Sequence, residues 1–279
     1  MPELPEVETV RQGLETIIVG RRITGLDVSG KRTVRRQTAA ELGSRLSGRT
    51  VTAVRRRGKY LSLELDDGQF LVIHLRMTGQ LLHVTQPSLL PKAPHTHVVM
   101  TLDDGSEVRF VDQRTFGEWY VTDEAGEDGL PADFSRLGPD PLSDGVPVRV
   151  LRQRLANRRS PLKAALTDQR VVAGIGNIYA DEICFRARVR PDRRCDTLTS
   201  EETRRLASAT ATILRHAIRL RGSSLRDQSY RDLMGEIGGY QARHQVYGRV
   251  GEPCPRCGSP VSRIRFGARV AYCCEVCQQ

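Results

Sequence analysis

Two Cys-x2-Cys pairs, Cys254/Cys257 and Cys274/Cys277, stand near the C-terminal end with 16 residues between them. Each pair offers two thiolates from one turn, and four thiolates fill the tetrahedral shell of Zn2+. The spacing therefore predicts one structural zinc, held in a small C-terminal finger, with no open coordination position for catalysis. Cys273 competes with Cys274, and the spacing to Cys277 favours Cys274. Between the pairs lie Arg263, Arg265 and Arg269 and no acidic residue. Such a hairpin is a candidate phosphate finger; the alternative is that these arginines only solubilise the module.

The rest of the charge supports a polyanionic partner. The chain has 279 residues and a formal charge of +10, distributed as +6 over residues 1–100, −8 over 101–140 and +12 over 141–279. A basic half-chain points to nucleic acid, with a solvated basic surface as the alternative. Only four of the 43 basic residues are lysines, Lys31, Lys59, Lys92 and Lys163. Arginine suits planar phosphate recognition, whereas lysine is a compact charge that burial deprotonates readily. A lysine at the end of Arg55-Arg56-Arg57-Gly58-Lys59 is therefore a candidate site residue. No apolar run approaches the ~18 residues of a membrane span. The acidic, proline-bearing start Met-Pro-Glu-Leu-Pro-Glu lacks the layout of a secretory signal. These features predict a cytoplasmic, reducing location, where seven cysteines serve as metal ligands or thiols rather than disulfides.

The length predicts about two domains. Leu4, Val7, Val10, Leu14, Ile17 and Ile18 form one apolar face of a helix over 3–19, with Pro5 in its first turn, Glu3, Glu6 and Glu8 at its positive end, and Gly20 as its stop. From about 22 to 122 the period is two, with strands over 51–54, 60–65, 69–75, 98–102 and 107–111. Two Asp-Asp-Gly turns, at 66–68 and 103–105, open similar hairpins. If the hairpins pair, Met77 and Arg114/Phe116 lie in loops at one end of a β-sandwich. Residues 123–147, acidic and rich in Pro and Gly, read as a linker. Helices are predicted over 146–158, 161–170, 177–186 and 199–221, the last opened by the capping box Thr199-Ser-Glu-Glu202. Gly174-Ile-Gly-Asn177 sits in a turn between helices, where glycines permit close backbone approach and the next helix offers free N–H groups to an anion. Taken alone, this string favours an ordinary helix–helix turn.

Five motifs occur in order: Pro2-Glu-Leu-Pro-Glu-Val-Glu8, Gly58-Lys-Tyr60, His74-Leu-Arg-Met-Thr-Gly79, Gly174-Ile-Gly-Asn-Ile-Tyr-Ala-Asp-Glu182 and the cysteine quartet. Over its whole length the chain resembles the bacterial formamidopyrimidine-DNA glycosylases. The resemblance implies an α+β multidomain fold: an N-terminal catalytic β-sandwich with a leading helix (2–135), a helix-two-turn-helix DNA-binding domain (136–240) and a zinc finger (241–279), with DNA held in the cleft between. It also implies monomeric action on duplex DNA carrying oxidised purines or abasic sites, within base excision repair at the nucleoid.

The implied roles fall on named positions. With Met1 removed, Pro2 offers a secondary amine that can attack the deoxyribose C1′, displace the damaged base and leave a Schiff base. A free α-amine has a reference pKa near ~8. The helix N-terminus lowers it and Glu3 raises it, so the net direction stays open. By resemblance Glu3 protonates the sugar oxygen as a general acid, and Lys59 is the hairpin lysine that reaches the lesion. Met77, Arg114 and Phe116 match the trio that fills the hole left by the extruded nucleotide; alone, Met77 and Phe116 would equally suit a core and Arg114 a surface. His74, Lys163 and Asn177 match phosphate-contacting positions, and Arg269 matches the zinc-finger arginine.

The segment Ser223–Tyr240 corresponds to the loop that covers the extruded base, and its middle departs from the family pattern. The related endonuclease VIII branch prefers oxidised pyrimidines; Leu4 and the Met77/Arg114/Phe116 trio favour the purine branch. Cys184, Cys195 and Cys273 carry no implied chemistry. A non-catalytic zinc-ribbon DNA-binding protein is the alternative, and it leaves Pro2-Glu3 and Lys59 without a reason.

Overall fold

The fold is that of a computed structural model, which describes residues 2–30, 32–225, 230–267 and 269–279. The chain divides into two units, Met1–Ser135 with Leu220–Gly239, and Arg136–Arg219 with Tyr240–Gln279.

In the first unit, α1 (Leu4–Ile18) buries Leu4, Val7, Val10, Leu14 and Ile18, the stripe expected from their three- and four-residue spacing. Its N-cap is Glu3, whose backbone N–H is accepted by the Glu6 carboxylate at 2.8 Å. Eight strands follow: β1 (Ile23–Val28), β2 (Val51–Arg57), β3 (Tyr60–Leu65), β4 (Phe70–His74), β5 (Gly79–Val84), β6 (Thr96–Leu102), β7 (Glu107–Asp112) and β8 (Glu118–Thr122). They form two four-stranded antiparallel sheets, ordered β1-β6-β7-β5 and β2-β3-β4-β8. Both sheets and α1 feed one apolar core, in which Leu61, Leu71 and Trp119 join Leu81, Met100 and Phe110.

The two Asp-Asp-Gly hairpins are β3–β4 and β6–β7, one in each sheet. Each then crosses to the other's sheet: β4 leads to β5, which pairs with β7, and β7 leads to β8, which pairs with β4. The crossings, residues 75–78 and 113–117, lie at one end, because Gly79 pairs with Asp112 and His74 with Glu118.

Two sequence expectations need correction. Residues 22–122 are not all of strand period, since α2 (Ala39–Leu46) interrupts them. Its signal was present: Thr38 and Glu41 make a reciprocal capping box, with N–H···O distances of 2.7 and 3.2 Å. Residues 123–147 do contain a break between the two units, at 135/136, but they are not linker throughout, because Ala132–Arg136 form a 3-10 turn that buries Phe134 against Tyr60, ring centroids 5.4 Å apart.

The second unit holds α3 (Val148–Leu155), α4 (Leu162–Leu166), α5 (Asn177–Ala187), α6 (Ser200–Arg219) and the hairpin β9 (Ser262–Phe266)–β10 (Arg269–Cys273). α5 is buried on nearly every face, so its sequence lacks an amphipathic stripe. The Thr199/Glu202 capping box forms as predicted, at 2.8 and 3.1 Å. Phe185, Val246, Val261, Cys254 and Cys274 make a small core beneath the cysteine module.

A buried ion pair ties α1 to the β2–β3 turn: Arg56 Nε donates to Glu8 Oε2 at 2.8 Å, and Arg56 Nη1 donates to the carbonyl of Gly58 at 2.9 Å. Glu8 Oε1 also accepts from Arg11 Nε at 3.0 Å and Gln12 Nε2 at 3.1 Å, so loss of Arg56 leaves the carboxylate with partners but removes its tie to the turn. Arg56→Met is expected to lower stability by about 2 kcal/mol, the worth of a charged hydrogen bond, read as a shifted midpoint in urea unfolding.

Candidate active site and nucleic-acid interface

Pro2 and Glu3 are buried at the head of α1. Glu6 fixes this end from two sides, because its Oε2 accepts the N–H of Glu3 and its Oε1 accepts the N–H of Ser223, each at 2.8 Å. Gly222 admits that carboxylate. Its φ is +76°, and a Cβ there would meet Glu6 Oε1 at 2.6 Å. Lys59 follows Gly58 in the β2–β3 turn and is buried. Burial pulls its ammonium below the ordinary lysine value, while Glu3 and Glu6 oppose the shift. The structure thus brings Lys59, distant in sequence, close enough to Glu3 for its charge to act on it, with Pro2 buried next to Glu3, and adds Glu6.

His74 ends β4, stacked edge-on against Tyr60 at 4.3 Å. Its Nδ1 accepts the N–H of Arg76 at 2.9 Å, so the neutral ring carries its proton on Nε2 as a donor. Burial, reinforced by Arg76 and Lys59, lowers its pKa to about 3. Met77 and Phe116 are 38% and 42% exposed, and Arg114 is exposed with its guanidinium 5.0 Å from the Phe116 ring centre. Exposed apolar tips on two adjacent crossings exclude the core reading for Met77 and Phe116.

The second unit gathers Lys163, Asn177 and Arg269 around a pocket of about 340 Å³, also lined by Arg263, Tyr247 and Tyr272. Asn177 is exposed at the start of α5, after the Gly174-Ile-Gly176 turn. Lys163 Nζ donates to Asp181 Oδ2 at 2.8 Å and to the carbonyl of Val270 at 2.7 Å. Burial raises the Asp181 carboxyl, and Lys163 opposes that shift. Glu182, next along α5, accepts the backbone N–H groups of Gln245, Val246 and Tyr247 at 2.9–3.0 Å. Asp181 and Glu182 therefore hold β10 and the 245–247 segment against α5, building a cationic pocket at a helix N-terminus, a geometry suited to a phosphate. Tyr247 and Tyr272 escaped the sequence reading, since lone aromatics carry no local signal; Asp181 and Glu182 ended a quoted motif but had no role assigned there.

The thiols of Cys254, Cys257, Cys274 and Cys277 lie within 4.8 Å of one another. Cys273 is buried outside this group, so Cys274 is the ligand, as the spacing favours. The Ser259 N–H and hydroxyl lower the Cys257 thiol pKa, favouring the thiolate a metal needs. Four converging sulfurs fit one closed structural zinc. Cys184, Cys195 and Cys273 are buried free thiols. The middle of the 223–240 segment, residues 226–229, lies outside the described residues.

Cys254→Ala is expected to abolish zinc binding and weaken duplex DNA binding at least tenfold while the first unit stays folded; metal analysis, a binding titration and circular dichroism check this. His74 supplies a pH dependence. Between its folded pKa of about 3 and the ordinary 6.5, the unfolded chain binds one proton more than the folded chain. Its contribution to stability is therefore complete above 6.5 and is lost as pH falls through that window, by about 1.4 kcal/mol per pH unit at most. His74→Gln should flatten the slope of unfolding free energy between pH 6.5 and 4.5.

Comparison with known proteins agrees with this geometry. Residues 1–119 match the formamidopyrimidine-DNA glycosylase N-terminal domain, 137–229 the formamidopyrimidine-DNA glycosylase H2TH domain, and 251–279 the zinc finger found in FPG and IleRS. A formamidopyrimidine-DNA glycosylase of Herpetosiphon aurantiacus is 44% identical over 279 residues, covering 100% of both chains. The MutM (FPG) protein of Thermus thermophilus superposes with a TM-score of 0.87 at 40% identity, over 99% of this chain and 98% of that one. The Lactococcus lactis protein, 34% identical, was solved with abasic-site DNA (TM-score 0.88, 99% of each chain) and with N7-benzyl-Fapy-dG DNA (0.89, 100% of each). With the cysteine quartet and the buried Pro2-Glu3 terminus in place, the chain belongs to the formamidopyrimidine-DNA glycosylase family.

Proposed function

We propose that the chain is a bifunctional DNA glycosylase and AP lyase that removes oxidised purines, 8-oxoguanine and formamidopyrimidines, in base excision repair. The observation that carries this reading is the buried Lys59 on which the Glu3 charge acts, with Pro2 buried next to Glu3. Once residue 1 is removed, the Pro2 nitrogen attacks C1′ of an extruded nucleotide. The N-glycosidic bond breaks, and the base leaves with the electron pair and takes up a proton. Glu3 protonates the ring oxygen as the sugar opens, leaving an iminium between Pro2 and C1′. The iminium acidifies the neighbouring sugar protons; their removal expels the 3′ and then the 5′ phosphate, leaving a one-nucleotide gap. Lys59, with its proton affinity lowered by burial, reaches the lesion side of the same site.

Extrusion leaves a hole in the duplex. Met77 and Phe116 enter it as apolar wedges, and Arg114 hydrogen-bonds the widowed base. His74, Lys163, Asn177 and Arg269 grip phosphates, with Tyr247 and Arg263 beside the last three. Zinc holds the hairpin that carries Arg269 and takes no part in bond breaking. We assign catalysis to 2–135, helix-two-turn-helix DNA binding to 136–240 and the zinc finger to 241–279, although Leu220–Gly239 packs in the unit of residues 1–135, with the chain acting as a monomer on duplex DNA at the nucleoid. Among the described residues no helix is long and apolar enough to cross a membrane.

Borohydride should fix the protein covalently to an 8-oxoguanine:C duplex, and Pro2→Gly should abolish fixation and lower base release at least a hundredfold while DNA binding survives. Full activity in that variant would remove the nucleophile assignment. Parallel assays should show faster cleavage of the 8-oxoguanine duplex than of one carrying an oxidised pyrimidine; the reverse order would place the chain's activity with oxidised pyrimidines.

A further inference from the structure

We propose that Asp112 is a positioning residue that staples the two hole-filling loops into one wedge. This rests on the glycosylase reading above and assigns a task to a residue that touches no substrate. Asp112 ends β7 and is fully buried. Its Oδ1 accepts the Thr78 hydroxyl at 2.5 Å and the N–H of Arg114 at 3.2 Å, and its Oδ2 accepts the N–H of Gly117 at 2.7 Å. Thr78 Oγ1 in turn accepts the same Arg114 N–H at 3.1 Å. One carboxylate therefore joins the loop that carries Met77 to the loop that carries Arg114 and Phe116. The Asp112 backbone is itself held, its N–H by the carbonyl of His95 at 3.0 Å and its carbonyl by Thr115 N–H at 3.3 Å.

The loops need such a hold. Arg76 and Thr115 adopt φ of +54° and +55°, a left-handed conformation unfavourable for side chains with a Cβ. Beneath the loops, Gly79 and Gly117 press on the Phe110 ring, where added Cβ atoms would come within 2.8 and 2.2 Å of it. The donors to the carboxylate are neutral, and no ion pair reaches Asp112 among the described residues. A buried charge solvated only by loop N–H and hydroxyl groups is costly, and an amide would present one acceptor oxygen where this carboxylate uses two. The charge is accounted for by the three donors it orients.

The role predicts a selective defect. Opening a paired duplex needs the wedge; elimination at a pre-formed abasic site needs it much less. Asp112→Asn and Thr78→Val should each slow 8-oxoguanine release from an 8-oxoguanine:C duplex at least tenfold in single-turnover assays. Strand cleavage at a pre-formed abasic site should stay within about twofold of wild type. A 2-aminopurine opposite the lesion should lose its fluorescence rise on binding. Thr78→Val, nearly isosteric and leaving the Asp112 carboxylate itself in place, decides the matter if Asp112→Asn does not fold. Equal slowing of both reactions, or of neither, overturns the staple while the glycosylase reading stands. A wild-type protein that neither releases 8-oxoguanine nor is trapped by borohydride overturns both.

Discussion

The structure depends on burying the first turn of α1. Ends of chains normally fray, because few contacts offset their entropy. Here the first residues start α1, and Leu4 is fully buried one position after Glu3. Pro5 lies in the first helical turn, where a missing N–H costs nothing. Glu6 then satisfies an N–H on each side, that of Glu3 and that of Ser223. The nucleophile role proposed for Pro2 requires that the helix behind it be anchored, and the apolar stripe from Val7 to Ile18 supplies that anchor.

Buried charge is matched in both units at three places. There an ionic group meets a partner or convergent backbone donors, because an uncompensated charge in the interior costs several kcal/mol. Arg56 with Glu8 fixes the turn that delivers Lys59. Lys163 with Asp181 fixes β10 beside α5. Glu182 takes three backbone N–H groups in a row. These contacts place functional groups as well as stabilise the units that hold them. Lys59 is kept among carboxylates that act on its proton affinity, and Lys163 spends two ammonium protons on the protein.

Much of this was legible in sequence because its causes are local. The stripe in α1, the Asp-Asp-Gly turns, the Thr199/Glu202 cap and the cysteine spacing each depend on residues a few positions apart. The same locality explains the misses. α2 is short and sits inside a region of strand period, so its cap signal at Thr38 and Glu41 was outweighed. Phe134 belongs to an acidic, Pro/Gly-rich stretch whose composition says nothing of the Tyr60 ring it meets. Tyr247 and Tyr272 become neighbours, with rings 5.1 Å apart, only after the 245–247 segment docks on Glu182.

By itself the sequence determined which chemistry was present: a proline beside a glutamate at the terminus, a lysine kept in an arginine run, four zinc-spaced cysteines, and the order of the motifs. Only the tertiary structure decided how these meet. It exchanged strands between the two hairpins, so that crossings 75–78 and 113–117 share one end, and it exposed Met77 and Phe116 rather than burying them. The physical reason is that a side chain's burial, its proton affinity and its neighbours are set by packing between segments distant in the chain, whereas helix caps, turns and metal knuckles are set by bonds that close within a few residues.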